Sequence, residues 1–509
     1  MNKKGIVYLI GAGPGDPGLL TIKGKECLEK ADVIIYDYLV NPVLLRYARE
    51  EAEKIYVGKQ SGHEKIPQED INQLLISRAR EGKIVARLKG GDPFIFGRGG
   101  EEAEELAKHG IPFEIVPGVT SASAVPAYAG IPLTHRDFAS SFVVATGYED
   151  PTKEKSGIPW KALAEIETVV FLMGVKRIEE NMKKLIEFGK PPETPVAVIT
   201  WGTLPKQRTV TGTIREISKI VKENNVKPPA VVVVGEVVNL RKAINWFEKK
   251  PLFGKKVLVT RAKNQSGVFA KLLNEQGAEV IEFPTIEIVP PQSWDEMDRA
   301  IEDLSSYDWI IFTSVNGVLF FFERLKTIKK DIRELKGIKI AVIGEQTARA
   351  VENLGLHVDV IPDDFRAEGI IESFKEIDIR GKQILIPRAK GAREILPLEL
   401  AKMGAGVHLV TAYETKKPDT EGVGKVREML RRGEIDVVTF TSLSTVRNFL
   451  SIFRNDEKLL MKSIVACIGP ITARALREIR IEPPIICKKY TIEELVREIV
   501  SYFEIIKIE

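Results

Sequence analysis

Short apolar runs, each followed by a glycine-rich turn or an amphipathic stretch, recur along the first part of the chain. GIVYLI (5–10) and ADVIIYD (31–37) are continuous apolar runs of the kind that become buried parallel strands. EKIYVGK (53–59) reads as a strand ending in Lys59, and KIVARL (83–88) has the alternation and β-branching of another. QEDINQLLISRAREG carries Ile71, Leu74, Leu75 and Ala79 near helical spacing, and EEAEELAKHG is a second helix pattern. From Thr134 the rhythm changes: SFVVATGY, ETVVFLMG, TPVAVITWGT and AVVVVGEVV are strands with fewer helices between them. The pattern predicts two α/β subdomains, the second with a mixed sheet ending near Trp246. Their joint is the Pro/Gly-dense stretch 117–132.

The second half repeats itself. KVLVTRAKNQSGVFAKLLNEQGAEVIEFPTIEI aligns with QILIPRAKGAREILPLELAKMGAGVHLVTAYET, WIIFTSVNGVLFFF with VVTFTSLSTVRNFL, and IAVIGEQTARAVENLGL with VACIGPITARALREIRI. Each unit alternates strand and helix, which predicts two doubly wound α/β lobes after a short linker at 251–256. PTIEIVP and LVTAYETK show strand alternation and stand where the chain passes between the lobes. One lobe is then 253–283 plus 418 onward and therefore discontinuous. The other is 291–408, and the two crossings form a hinge beside a cleft.

Composition narrows the picture. The chain has 509 residues, 44% apolar and 29% charged, enough for roughly three or four domains of about 150 residues. A net charge of +4 argues against nucleic acid as the partner. The three cysteines, Cys27, Cys467 and Cys487, form no CxxC and suit a reducing, cytoplasmic compartment. The five histidines are scattered, so no local metal motif exists. No apolar run reaches the roughly 18 residues of a membrane span, and the N-terminus lacks a signal-peptide pattern.

Candidate chemistry gathers at strand ends. KGGDPFIFGRGGEE (89–102) leaves one strand and enters a helix, and ligands of open α/β sheets sit beyond carboxyl strand ends. Its glycines let backbone approach a ligand closely, and Asp92 can accept hydrogen bonds. Two Phe and an Arg suit a flat ligand with a polar rim. GAGPGDPGLLT resembles a dinucleotide fingerprint, and Asp37 stands where a ribose-binding carboxylate would. However, Pro14 and Pro17 delete two phosphate-binding amides and Asp16 would repel phosphate. The helix starts instead at Thr21 as its N-cap, and a ligand without phosphates fits better. Thr120 and Ser121 open a small-residue helix after the strand ending at Val116, as a cap or as ligand contacts. In the second half Ser314, Gly344, Ser442 and Gly469 each follow a strand and precede a helix. Helix N-termini attract carboxylates, and Arg261 and Arg388 can add charge. Capping accounts for many of these hydroxyls.

Taken in order, GAGPGDPGLLT, ADVIIYDYLV, KGGDPFIFGRGGEE, EIVPGVTSASAVPAYAGIPLTHR, VVFLMG and VVVVGEVVNLRKAINW resemble uroporphyrinogen-III C-methyltransferase, of the tetrapyrrole methylases. The resemblance covers 5–246. It implies S-adenosylmethionine (SAM) as methyl donor, a cleft between subdomains at about 1–118 and 119–248, and a homodimer formed through this half. It implies SAM contacts at Pro14, Gly90, Gly91, Asp92, Ile95, Thr120, Ser121, Met173, Gly202 and Ala230. It also implies a proton acceptor at Asp37 and a proton donor at Lys59.

Residues 253 to about 503 resemble uroporphyrinogen-III synthase, by weaker motifs. This resemblance implies no cofactor, and ring closure of hydroxymethylbilane to uroporphyrinogen III with inversion of ring D. It implies roles for Tyr413 and Thr472. The residue before Thr472 is Ile471, where the family often has a second threonine, so this chain departs from the family's hydroxyl pair there. Arg261, Ser314, Arg388 and Ser442 are the candidate substrate contacts. The expected protein is a bifunctional enzyme of two parts, 1–248 and 249–509, that makes precorrin-2 from hydroxymethylbilane. Two alternatives stand beside it: a methylase for a later precorrin, and a second half that only binds tetrapyrroles. Neither half has an additional domain for dehydrogenation or iron chelation, so siroheme is not expected from this chain alone.

Overall fold

Parallel strands buried on both faces need continuous apolar runs, and the first half supplies them. The computed structural model describes residues 5–58, 66–148, 157–416, 418 and 422–508. Its chain divides into two compact units, Met1–Lys255 with Asn274–Glu279, and Lys256–Leu273 with Val280–Glu509.

In the first unit, β1 (Ile6–Gly11), β2 (Val33–Tyr36), β3 (Glu53–Tyr56), β4 (Ile84–Lys89) and β5 (Phe113–Val116) form a sheet of order β3-β2-β4-β1-β5. Every pair in it is parallel. Val7, Leu9, Val33, Ile35 and Val85 face one helical layer, while Ile10, Ile34, Ala86 and Leu88 face the other. Parallel register brings Gly11 level with Lys89 and Ile10 level with Val116, so the loops carrying the candidate motifs leave from one edge. The glycines there do structural work before any ligand arrives. A Cβ on Gly11 would lie 2.4 Å from Gly118 Cα and 2.7 Å from the Gly91 carbonyl oxygen, so three loops meet backbone to backbone. The loop after β1 turns through a 3₁₀ segment, Pro17–Leu19, capped by Asp16. The helix Ile22–Lys30 then starts at the Thr21 N-cap, as the sequence predicts.

A second sheet is built from β6 (Phe142–Thr146), β7 (Thr168–Leu172), β8 (Pro195–Thr200), β9 (Arg208–Thr213) and β10 (Ala230–Val234), in the order β6-β7-β10-β8-β9. Only β6 and β7 run parallel; the other pairs are antiparallel, giving the expected mixed sheet. The helix Ser121–Tyr128 packs Ala122 and Val125 onto this second sheet.

The second unit continues with β11 (Lys256–Val259), β12 (Glu279–Glu282), β13 (Glu287–Val289), β14 (Trp309–Phe312), β15 (Lys339–Val342), β16 (Gln383–Ala389), β17 (Gly406–Lys416), β18 (Val437–Phe440), β19 (Ile464–Cys467) and β20 (Ile485–Ile486). They form two sheets, β12-β11-β18-β19-β20 and β13-β17-β16-β14-β15. The first takes strands from both ends of this half and the second from its middle, giving the expected doubly wound pair with one discontinuous member. Both crossing segments, β13 and β17, are however strands of the middle sheet and so extend that lobe beyond the expected 291–408. The two crossing segments pair with each other, antiparallel, with Ile288 opposite Thr415 and Val289 opposite Glu414.

One local expectation fails. Strict alternation would put Tyr413 on the same face as Thr411. Along the β16–β17 ladder Arg388 pairs with Thr411 but Ala389 pairs with Tyr413, so Ala412 is an extra residue in a β-bulge. Val410, Ala412 and Tyr413 consequently share one hydrophobic core.

Candidate active sites

The strand ends of the first unit open onto a cavity of about 470 Å³, within the range of small-molecule sites. Gly13, Pro14, Gly90, Gly91 and Ile95 line it from the first subdomain, and Met173, Trp201, Gly202 and Ala230 from the second. Ser121 stands between them at the start of its helix. Eight of the ten expected cofactor contacts therefore meet at one cavity: Pro14, Gly90, Gly91, Ile95, Ser121, Met173, Gly202 and Ala230. Asp92 and Thr120 adjoin Gly91 and Ser121 in the chain but are not among its lining residues. Thr120 Oγ1 caps the helix by accepting from Ala122 N at 3.3 Å. The Asp92 carboxylate accepts from Phe94 N at 2.8 Å and Gly118 N at 2.9 Å, which ties the glycine-dense loop to the turn after β5. Tyr38, Leu39, Phe94, Phe96 and Met173 are exposed around this region. Met173 and Trp201 are both held at positive φ, 58° and 50°, an uncommon conformation for residues other than glycine.

Asp37 follows β2 beside Tyr38 and Leu39 of the cavity wall. Its Oδ1 accepts from Leu39 N at 3.2 Å, and its Oδ2 lies 3.7 Å from Arg87 Nη2. Arg87 belongs to a buried charge cluster that sequence reasoning missed. Glu102, with no exposed surface, accepts from Arg87 Nε at 3.2 Å, Lys89 Nζ at 2.8 Å and Gln68 Nε2 at 3.1 Å. Burial pushes the Lys89 ammonium below its usual value, nearby Arg87 pushes the same way, and Glu102 partly offsets both. The signal available was Arg87 and Lys89 two apart in a strand, hence on one face. Their carboxylate is on another element and could not be chosen from spacing. The other expected proton-transfer residue, Lys59, lies outside the described residues.

In the second unit Ser314 and Tyr413 are joined. Their hydroxyl oxygens are 3.0 Å apart, and Ser314 Oγ also accepts from Gly317 N at 3.0 Å as the N-cap of helix Val315–Thr327. The Tyr413 ring stacks on Phe320 with centroids 5.9 Å apart. Ser442 is committed locally: it forms a capping box with Thr445 and bonds Ser444 Oγ at 2.9 Å. Arg388 is buried and donates to the carbonyls of Ala392 and Arg393 and to Glu394, so its charge holds its own loop. Burial lowers the Arg261 guanidinium from its usual value, and Glu493 partly offsets this. Thr472 is the third residue of helix Pro470–Arg477 and is 4% exposed; no side chain caps that helix.

These features define an α/β chain with a two-subdomain cavity in one half and a pair of doubly wound lobes in the other. A family profile for tetrapyrrole (corrin/porphyrin) methylases matches residues 6–218, and one for uroporphyrinogen-III synthase HemD matches 267–497. The chain is 40% identical over 499 residues to porphyrin biosynthesis protein HemD of Ruminiclostridium josui, covering 98% of each. It is 43% identical over 372 residues to a uroporphyrinogen-III C-methyltransferase of Bacillus subtilis, covering 73% of this chain and 76% of that one. A SAM-dependent uroporphyrinogen III methyltransferase of Methanosarcina barkeri is 53% identical over 237 residues, covering 46% of this chain and 93% of the relative. The chain belongs to the family of the R. josui porphyrin biosynthesis protein HemD, and it joins a tetrapyrrole methylase region to a uroporphyrinogen-III synthase region. It is a SAM-dependent C-methyltransferase and a uroporphyrinogen-III synthase in tetrapyrrole biosynthesis.

Proposed function

We propose that the second half cyclises hydroxymethylbilane to uroporphyrinogen III with inversion of ring D, and that the first half methylates that product twice, giving precorrin-2. The observation that carries this reading is the fusion itself, spanning the chain: the synthase's product is the methylase's substrate. The cavity between the first unit's subdomains suits SAM, because its walls are largely glycine backbone and apolar side chains. SAM supplies an electrophilic methyl group there. The residues of the chain align donor and acceptor carbon, which is where most of the rate arises. Asp37, beside the cavity wall and held near Arg87, accepts the proton released after attack, and Lys59 is the paired donor. The exposed aromatic and aliphatic rim suits a flat macrocycle. In the synthase half the chemistry is milder: the pyrrole nitrogen helps expel hydroxide, and the protein brings the chain ends together. Tyr413 donates a hydrogen bond to the leaving hydroxyl, with Ser314 orienting it.

The full chain given hydroxymethylbilane and SAM is expected to yield a dimethylated tetrapyrrole by mass and absorbance, and uroporphyrinogen III when SAM is withheld. Formation of only the type I isomer would reduce the second half to a binding module. Methylation of a later precorrin but not of uroporphyrinogen III would reassign the first half. A homodimer through the methylase half is part of the proposal. It is supported by the edge strand β6, which exposes Phe142, with Phe138 and Tyr148 also exposed. A cytoplasmic setting is supported by three buried, unpaired cysteines.

Tyr413→Phe keeps the ring on Phe320 and removes only the hydroxyl. Cyclisation should slow roughly 10- to 100-fold, the worth of one to two hydrogen bonds at about 1.4 kcal/mol per decade. Melting should change little; unaltered turnover would leave positioning alone as the source of rate. Asp92→Ala should weaken SAM binding by roughly 10- to 100-fold, since either a lost ligand contact or a loosened loop removes about 1.5–3 kcal/mol of charge-assisted bonding. Calorimetry with unchanged SAM affinity would take Asp92 out of the site altogether, while synthase activity serves as the internal control.

A further inference from the structure

The cavity of the first unit is lined from two subdomains, and its width depends on what ties them together. Two loops face each other across it: Gly13 and Pro14 after β1, and Trp201, Gly202 and Leu204 between β8 and β9. They are bonded directly. Asp16 N donates to Thr203 Oγ1 at 3.0 Å, and Tyr128 Oη donates to Asp16 Oδ2 at 2.7 Å. The other Asp16 oxygen accepts from Gly18 N at 2.7 Å, so the carboxylate is held from both sides. At Gly15 the backbone fits so closely that a Cβ would lie 2.9 Å from Leu204 Cγ and 3.0 Å from Thr203 Oγ1.

Thr203 is the unusual member. It is 2% exposed and sits at φ +69°, where a β-branched side chain is a genuine outlier. Such strain persists only where the surroundings over-determine it, and it concentrates at functional sites. Here Thr203 N donates to Gln207 Oε1 at 2.9 Å while Thr203 Oγ1 receives Asp16 N. Gln207 is anchored in turn, donating to Glu248 Oε1 at 2.9 Å, and Glu248 also accepts from Thr209 Oγ1 at 2.6 Å and pairs with Arg241. Tyr128 is braced by the edges of Trp246 and Phe247, with centroids 5.0 and 4.8 Å away. A glycine would satisfy the backbone at 203 without strain. Only the hydroxyl explains a threonine there.

We propose that Thr203 and Tyr128 are positioning residues of the methyltransferase: they clasp the glycine loop of the first subdomain to the second and so set the gap that receives SAM. The proposal rests on the reading of this cavity as the SAM site. It predicts effects on affinity and stability that have opposite signs at position 203. Thr203→Gly relieves the strained backbone and deletes the hydroxyl. It should leave the melting temperature equal or higher, yet raise the SAM dissociation constant about 10-fold. Thr203→Ser keeps the hydroxyl and should bind SAM as the wild type does. Tyr128→Phe should raise the dissociation constant several-fold, with KM for SAM rising and kcat within a few-fold at saturation. These are measured in the full chain by calorimetry, steady-state methylation and melting.

Ala230→Trp fills the cavity itself and separates the two readings. SAM affinity within twofold of wild type in both Thr203→Gly and Tyr128→Phe, with binding abolished by Ala230→Trp, overturns the clasp and keeps the site. Unchanged binding in Ala230→Trp overturns the site and the clasp with it. A fall in melting temperature that tracks the loss of affinity in Thr203→Gly, with no rescue by Thr203→Ser, reduces the residue to a structural one and also overturns the proposal.

Discussion

Asp37→Asn is expected to slow methylation by on the order of 10²-fold or more while SAM still binds, the range for loss of a positioned general base. The substitution is nearly isosteric. The acceptor of the Leu39 N–H can be kept, so the turn after β2 should hold. What disappears is the ability to take a proton, and the charge that faces Arg87 at 3.7 Å. Lys59→Met should behave alike if Lys59 returns the proton. Single-turnover methylation of uroporphyrinogen III, with SAM binding followed separately, distinguishes the steps. Rates within a factor of a few of wild type for Asp37→Asn would demote it to the cap of a strand end.

The second large effect concerns stability. Glu102→Ala leaves Arg87 and Lys89 buried without their shared carboxylate. Removing one partner from a buried ionic cluster costs about 3–5 kcal/mol. In a unit of this size that lowers the melting temperature by roughly 10 °C. Lys89→Met added to Glu102→Ala should recover part of the loss, because it removes one of the stranded cations. The pH dependence has a definite sign. Lys89 in the folded chain already loses its proton below its ordinary value of 10.5. Between the lowered value and the ordinary one the unfolded chain binds more protons, so stability rises with pH across that alkaline window. Without Glu102 the Lys89 value falls further and the window widens downward. Urea titrations of wild type and Glu102→Ala at several pH values check both points. A variant as stable as wild type at every pH would mean that water replaces Glu102 without loss.

Local features of this chain were legible because their causes are local. Thr21 caps a helix because its hydroxyl reaches an amide three residues on, and Ser314 and Ser442 cap theirs by the same geometry. Continuous apolar runs before glycine-dense turns sufficed for a parallel sheet, and the internal repeat sufficed for two lobes built alike. The first subdomain's share of the cavity lining was legible too, because parallel strands deliver their carboxyl-end loops to one edge; the second subdomain's share, Met173, Gly202 and Ala230, was named only by the family resemblance.

Tertiary structure decided what those residues are used for. Asp92 had the right chemistry for a ligand, but the position of Gly118, 26 residues away, gives its carboxylate a backbone partner. Arg388 could have offered charge to a substrate; its neighbouring carbonyls and Glu394 claim it. The bulge at Ala412 turned Tyr413 into the core beside Ser314, against the period of its strand. Glu102 could be matched to Arg87 and Lys89, and Thr203 to Asp16 across 187 residues, only once the sheets were assembled. Helix and strand periods are set by backbone geometry within a few residues, and so the sequence determined them alone. Pairing of buried charges, strain at a positive φ and the width of a cleft are set by which distant segments meet, and the packed chain alone decides that.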